Sequence, residues 1–403
     1  MVVPDRGVGS ADHSRQRQLA GRVRRAPRRR NVVRDPEAQD LRRPQGRERL
    51  RAGPDSCPPP RSEPLTFEHS RTPANATRAP MPTLTSEQLD HFETFGFLAV
   101  DEVFDPAEVI NPVMDEYADV LDVLANELQE QGLISDTYAG VPFGERVSKV
   151  YVESQKVHAQ YFDFSLPQKG IKADTPFWAG PAVFDALTNP SLLDTVECFI
   201  GSEIYSNPVQ HVRVKVPESI APRDADGNVI YGATPWHQDS GVINASADDT
   251  DMLTVWFPLM DTDVENGCLQ VIPGSHRGEV LTHCGGVQGL NIPSTILPGE
   301  DSARAVPLPA GGCLFLHRKT IHAALPNLSS RIRWSFDLRY HPPGQPTGRE
   351  AFPGFVARSQ QDPDSVLADA SRWRQMWLDA RAALADQPDP EYNRWDLDDE
   401  ACA

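Results

Sequence analysis

The sequence predicts a mainly β protein with flanking helices (α+β), its core a double-stranded β-helix, or small jelly roll. Two observations carry this expectation. From Glu203 onward the chain breaks into short β-rich runs divided by turn signals. Before that point, apolar residues recur with the helical period in three segments.

Thr85 is placed to cap a first helix, with Gln88 three residues on; Leu89, Phe92 and Phe95 share one face and Gly96 ends it. Residues 97–100 read as a strand. Asp105 and Pro106 open a second helix, whose apolar positions Val113, Tyr117, Val120, Leu121, Leu124 and Leu128 keep the period up to Gly132 and are expected to cover a sheet. Residues 191–200 form a third helix closed by Gly201. Strands are expected at 209–216, 253–260, 268–272, 313–317 and 332–340, with a turn at Asp226-Gly227-Asn228. Val366, Ala370, Trp373, Trp377 and Ala380 stripe a last helix, docked on the sheet or at a dimer contact. No internal repeat is evident.

The composition of 39% hydrophobic and 24% charged residues is that of a soluble globular protein. No apolar run approaches the roughly 20 residues of a membrane span, nor the roughly 7–15 of a secretory signal. Six cysteines lie far apart with no Cys-x-x-Cys pair, and are expected as free thiols in a reducing cytoplasm. Charge divides the chain: residues 1–80 hold 18 Arg, no Lys and a net charge of +9, whereas the body from Met81 carries −27. Such a body repels polyanions, so neither nucleic acid nor membrane is expected as a partner. Residues 1–80 are Arg- and Pro-rich, and Phe67 is their only aromatic, so disorder is expected there. They read as a solvated tail, an anion-binding arm, or an upstream extension with initiation at Met81. The ordered domain is expected over 81–385, and an acidic tail that frays over 386–403.

The informative segment is Trp236-His237-Gln238-Asp239. On a strand, residues two apart share a face, so His237 and Asp239 can converge on one ion. Two histidines and one carboxylate mark non-haem iron(II) sites with open coordination positions. His322 is the candidate third ligand, with His317 as the alternative; His276 reads as a turn residue. Gln238, facing the opposite way, is expected to act only through its neighbours. His211, Arg213 and Lys215 share one strand face, which either meets substrate or is solvated.

The order of features, namely His237-x-Asp239, Asn266-Gly267-Cys268-Leu269, Pro273-Gly274-Ser275-His276, His322 and Arg333-x-Ser335, resembles the phytanoyl-CoA dioxygenase family of iron and 2-oxoglutarate oxygenases. The resemblance runs over the whole body, from the helix at 84–89 to Tyr340. It implies Fe(II) on His237, Asp239 and His322, 2-oxoglutarate as cosubstrate and dioxygen as oxidant, with release of succinate and CO2. It implies that Arg333, eleven residues after His322, grips the far carboxylate of 2-oxoglutarate, a task suited to a guanidinium fork. Ser335 on the same face can add a hydrogen bond, Arg331 is the rival anchor, and Trp256 is similar to a family tryptophan beside the cosubstrate or else a plain core aromatic.

One departure stands out: many members follow the distal histidine with x-Ser, where this chain has Ala323-Ala324. A carboxylate at Asp239, where the related halogenases keep a small residue, implies oxygenation. The substrate is expected to be a small organic metabolite rather than an acyl-CoA, since no basic cluster in the body is available for several phosphates. A non-catalytic jelly roll that binds metal and a small ligand is the alternative. Oligomeric state is not legible.

Overall fold

The computed structural model describes residues 84–403 apart from 231, 287–288, 386, 389, 391–393, 397–398 and 403. The expectations for residues 1–80, with initiation at Met81, lie outside the described residues.

The first helix, α1 (Ser86–Phe95), starts on a capping box in which the Thr85 hydroxyl accepts from the Gln88 amide and the Gln88 side chain accepts from the Thr85 amide. Gly96 ends it at φ 78°, a conformation that favours glycine; an added Cβ there would also lie 2.6 Å from the Thr320 hydroxyl. The chain continues through β1 (Phe97–Val100), α2 (Pro106–Glu130), α3 (Phe143–Ser154), α4 (Pro181–Leu187) and α5 (Pro190–Ile200). Then come β2 (Ile204–Ser206), β3 (His211–Lys215), β4 (Leu253–Pro258), β5 (Leu269–Val271), β6 (Cys284–Gly286) and β7 (Gly289–Asn291). The last elements are β8 (Arg304–Val306), β9 (Cys313–His317), β10 (His322–Ala324), β11 (Arg333–His341), β12 (Phe355–Arg358) and α6 (Ala370–Ala385). The helices α3 and α4 and the strands β2, β6, β7, β8, β10 and β12 have no counterpart in the sequence-based expectations.

A seven-stranded sheet runs β1-β9-β4-β11-β2-β12, with β3 also paired to β11, and a three-stranded sheet runs β10-β5-β8; every pairing is antiparallel. The jelly-roll core expected from the strand spacing is thus present. Alternation along β11 sets what each face carries. Trp334, Phe336, Leu338 and Tyr340 point one way and join Val212, Val214, Val255, Phe257 and Phe315 in the main hydrophobic core with Tyr117, Leu121 and Leu124 of α2. Arg333, Ser335, Asp337 and Arg339 point the other way, opposite Lys215, Arg213 and His211 of β3 and Trp256 and Thr254 of β4. That inner face is completed by a second apolar cluster, in which Trp256, Leu314 and Leu316 meet Leu269, Val271, Val306 and Ala324 of the smaller sheet.

The expectation of six free thiols is overturned. Cys284 and Cys402 form a disulfide across 118 residues, and Cys198 is disulfide-bonded as well; Cys268 and Cys313 are free and buried. Pairing between residues so far apart is a product of tertiary folding and leaves no trace in local spacing. The end of the chain, expected to fray, is also held: Arg394, Trp395 and Cys402 all make contacts with the body. Among the described residues no helix is long and apolar enough to cross a membrane.

Trp334 is fully buried, with ring centroids 5.0–5.3 Å from Phe162, Phe143 and Tyr117. Trp334→Ala is expected to cost about 3–5 kcal/mol of folding stability, because the cavity it leaves between sheet and helices cannot fully collapse. Urea unfolding checks this, and a loss under ~1 kcal/mol would contradict the packing described.

Candidate metal centre

His237 and His322 sit opposite each other in an isolated antiparallel bridge, each backbone amide donating to the other's carbonyl at 3.0 Å. This bridge brings two segments distant in sequence together, with ring centroids 4.2 Å apart. Asp239 is not on a strand, contrary to expectation: it opens the short 3-10 turn Asp239–Val242. Gln238 between them is still extended, at φ −117° and ψ 140°, so His237 and Asp239 keep the same-side relation. One ligand atom from each of His237, Asp239 and His322 lies within 4.8 Å of the others.

The chemistry of these donors suits a divalent cation. His237 Nδ1 lies 2.9 Å from the Pro235 carbonyl and His322 Nδ1 lies 3.0 Å from the Thr320 carbonyl. A carbonyl can only accept, so each Nδ1 carries its proton and each Nε2 keeps its lone pair for a metal. Burial, with His322 alongside, pushes the His237 pKa down to about 3, so the ring is neutral near pH 7. Asp239 is wholly buried. Burial alone would raise its pKa, but the Arg339 guanidinium, the two imidazoles and the Thr254 hydroxyl together hold it below the usual carboxylate range. Arg339 pairs with one Asp239 oxygen and Thr254 donates to the other. Arg339 also donates to the Val209 carbonyl at 2.9 Å and lies 3.5 Å from Asp337, which lies 3.7 Å from Arg213.

Along the same inner face, Arg333 is buried, its Nη1 donating to Ser335 at 2.6 Å and its guanidinium carbon 5.7 Å from the centre of the Trp256 ring. Among the described residues its Nε has no hydrogen-bond partner, and burial lowers its pKa only to about 10, so it remains a cation with unused donors. Arg331, the rival anchor, is 60% exposed and pairs with Asp263 at 3.3 Å. His317 packs against His276, at 5.3 Å between ring centroids, and is not part of the three-donor cluster. Gln238 is buried and satisfied by the carbonyls of Glu279 and Lys319 and the amide of Leu281.

Sequence reasoning did not single out Arg339, Thr254 or His283. The signal for Arg339 was available, since it falls on the alternate positions that run from Arg333 through Ser335. Lys215 proves to be buried opposite Arg333, where burial and that guanidinium depress its pKa, while Arg213 is 44% exposed.

Two imidazoles, one carboxylate and a buried arginine inside a jelly roll define the class of non-haem iron oxygenases. The phytanoyl-CoA dioxygenase (PhyH) family model matches residues 92–335, and the chain belongs to this family. It is therefore an oxidoreductase that depends on iron and 2-oxoglutarate. A phytanoyl-CoA dioxygenase of Arabidopsis thaliana is 26% identical over 267 residues, covering 64% of this chain and 88% of the relative. The peroxisomal phytanoyl-CoA dioxygenase of Bos taurus is 25% identical over 265 residues, covering 64% of this chain and 68% of that one. Among solved structures, the non-haem monooxygenase ThoJ in its apo form aligns with a TM-score of 0.47 at 18% identity, over 73% of this chain and 95% of that one.

The buried histidines set a pH response. Burial lowers His237 to about 3 and His158, His283 and His317 to about 4. In the unfolded chain they titrate near ~6.5. Below that value the unfolded state binds more protons, so the stability tied to neutral burial is intact above about pH 6.5 and is lost as pH falls toward the folded values. The Tm of the metal-free protein is expected to drop steadily between about pH 6.5 and 4.5, and a flat calorimetric profile over that window would contradict neutral burial of these rings.

Proposed function

We propose that His237, Asp239 and His322 hold the ferrous ion and that Arg333, Ser335 and Trp256 hold 2-oxoglutarate, for hydroxylation of a small organic metabolite. The observation that carries this reading is the pairing, on one inner face, of the three-donor cluster with a buried guanidinium whose Nε lacks a partner among the described residues. Iron(II) and 2-oxoglutarate supply the activation of dioxygen, with succinate and CO2 as the coproducts.

The chain's own groups do the rest. Backbone carbonyls of Pro235 and Thr320 hold the two rings by their Nδ1 protons, so both Nε2 atoms face inward as donors. Arg339 and Thr254 keep Asp239 ionised and fix its orientation. Arg333 offers its free donors to the remote carboxylate of the cosubstrate, Ser335 fixes the guanidinium by accepting from Nη1, and Trp256 gives it an aromatic wall. Leu269, Val271, Leu314, Leu316 and Ala324 line the same interior and keep it dry, which limits side reactions. With Ala323 and Ala324 after His322, no hydroxyl from that position reaches the cosubstrate, and Arg333 carries more of the load. Arg213 and His211, further along the inner face, are the residues offered to the substrate.

A small metabolite is favoured over an acyl-CoA because the body's net charge of −27 opposes a polyphosphate. The same charge argues against nucleic acid and anionic membranes as partners.

Succinate release screened across lipids, amino-acid derivatives and terpenoid or polyketide scaffolds tests the activity; purified, iron-loaded protein that forms none with any of them counts against it. Anaerobic titration with Fe(II) and 2-oxoglutarate tests the site. Arg333→Ala is expected to weaken 2-oxoglutarate binding at least about tenfold, the loss of a charge-assisted bidentate contact, with iron retained. His322→Ala is expected to lose iron. Unchanged cosubstrate affinity in Arg333→Ala would move the anchor elsewhere.

A further inference from the structure

The turn that carries Asp239 is gripped from outside the barrel by groups that no step above uses. The Gln238 amide, between the two ligands on that segment, donates to His283 Nε2 at 2.9 Å, and His283 Nδ1 is held 2.8 Å from the Leu281 carbonyl. Gly241 lies flush against the same ring, where an added Cβ would fall 2.0 Å from His283 Cε1. Trp395 stacks on the same ring, at 5.4 Å between centroids and 20° between planes. The Trp395 indole N–H donates to the Gly241 carbonyl at 2.6 Å. Arg394 donates to the Ser240 carbonyl at 3.2 Å while its other arm binds Asp248 at 2.8 Å. Cys402 is joined by its disulfide to Cys284, the neighbour of His283. The family match ends at residue 335, so Arg394, Trp395 and Cys402 lie outside it.

We propose that Trp395, Arg394 and His283 are positioning residues for the metal centre, a clasp closed by the Cys284–Cys402 disulfide that fixes the Gln238–Gly241 backbone and with it the direction of the Asp239 carboxylate. This inference rests on the metal-site reading above. Three backbone groups in succession along the ligand turn, the Gln238 amide and the Ser240 and Gly241 carbonyls, are satisfied by this clasp. A 3-10 turn of four residues has few bonds of its own to hold its shape. Without the clasp the turn gains freedom that metal binding must then remove, so the effect falls on iron affinity and on the mobility of the turn. Outer groups that orient ligands typically change metal affinity by about 10–100-fold when removed.

The test uses the full chain and three variants: Trp395→Ala, Trp395→Phe, which keeps the stacked ring but loses the N–H donor, and Cys402→Ser. Fe(II) affinity is read anaerobically from the visible band formed with 2-oxoglutarate, and amide hydrogen exchange of 238–241 is read on metal-free protein. Trp395→Ala and Cys402→Ser are expected to bind iron about tenfold more weakly or worse, with faster exchange in the turn. Trp395→Phe falls between them and wild type. At saturating iron, 2-oxoglutarate affinity stays within about twofold. Cys198→Ser, which removes a disulfide on α5, is the control and keeps wild-type iron affinity. Wild-type iron affinity in Trp395→Ala and Cys402→Ser overturns the proposal, as does a loss of affinity that only tracks the unfolded fraction seen by circular dichroism. Should wild-type protein itself take up no iron, the metal reading fails, and the hydrogen-exchange comparison still decides whether the clasp holds the turn.

Discussion

The ion pair between Asp239 and Arg339, buried at both ends, is the constraint around which the interior is organised. A carboxylate taken out of water loses hydration worth several kcal/mol and survives as an anion only if a partner of good geometry replaces it. Here Arg339, Thr254 and two imidazoles do so together. The pair also binds three elements into one arrangement. Arg339 belongs to β11, Thr254 stands opposite it on β4, and Asp239 arrives from the turn after the His237–His322 bridge. A slip of β11 by one residue would send Arg333, Ser335, Asp337 and Arg339 into the helix-facing core and bring Trp334, Phe336, Leu338 and Tyr340 inside the barrel. Electrostatics on one face and apolar packing on the other therefore select the same register.

Much of this was legible because the determining signals are short in range. His237 and Asp239 share a side through the extended Gln238; Arg333 and Ser335 share a face through strand alternation; the long strands β4, β9 and β11 have enough residues to show their pattern. The capping box of α1 and the stripe of α2 are likewise local. What was missed is either too short or too distant. Strands β2, β6, β7, β8 and β10 have three residues each, too few for alternation to register. The N-cap positions of α3 and α4 make no side-chain cap bond, and α4 has only seven residues. His322 could be chosen over His317 only by the order of motifs, since the bridge that sets it beside His237 is a tertiary contact. The Cys284–Cys402 bond and the docking of Trp395 on His283 belong to that same long-range class.

Charge along the inner face separates the two ends of the interior. At the metal end, Asp239, Arg339, Asp337 and Arg213 alternate in sign, so carboxylates and guanidinium groups balance. At the other end Arg333 and Lys215 face each other across β11 and β3, and among the described residues neither has a carboxylate within ion-pair distance. The depressed pKa of Lys215 reflects this, since burial and the adjacent guanidinium both oppose its charge. An uncompensated cationic end in a low-dielectric interior is a standing demand for an anion. In the reading proposed above, 2-oxoglutarate would answer it. Its remote carboxylate would bring the missing negative charge to Arg333. The cosubstrate would thus complete a charge pattern that the fold leaves open at this one end, which gives a reason for keeping a buried arginine with an idle Nε in an interior that is otherwise balanced.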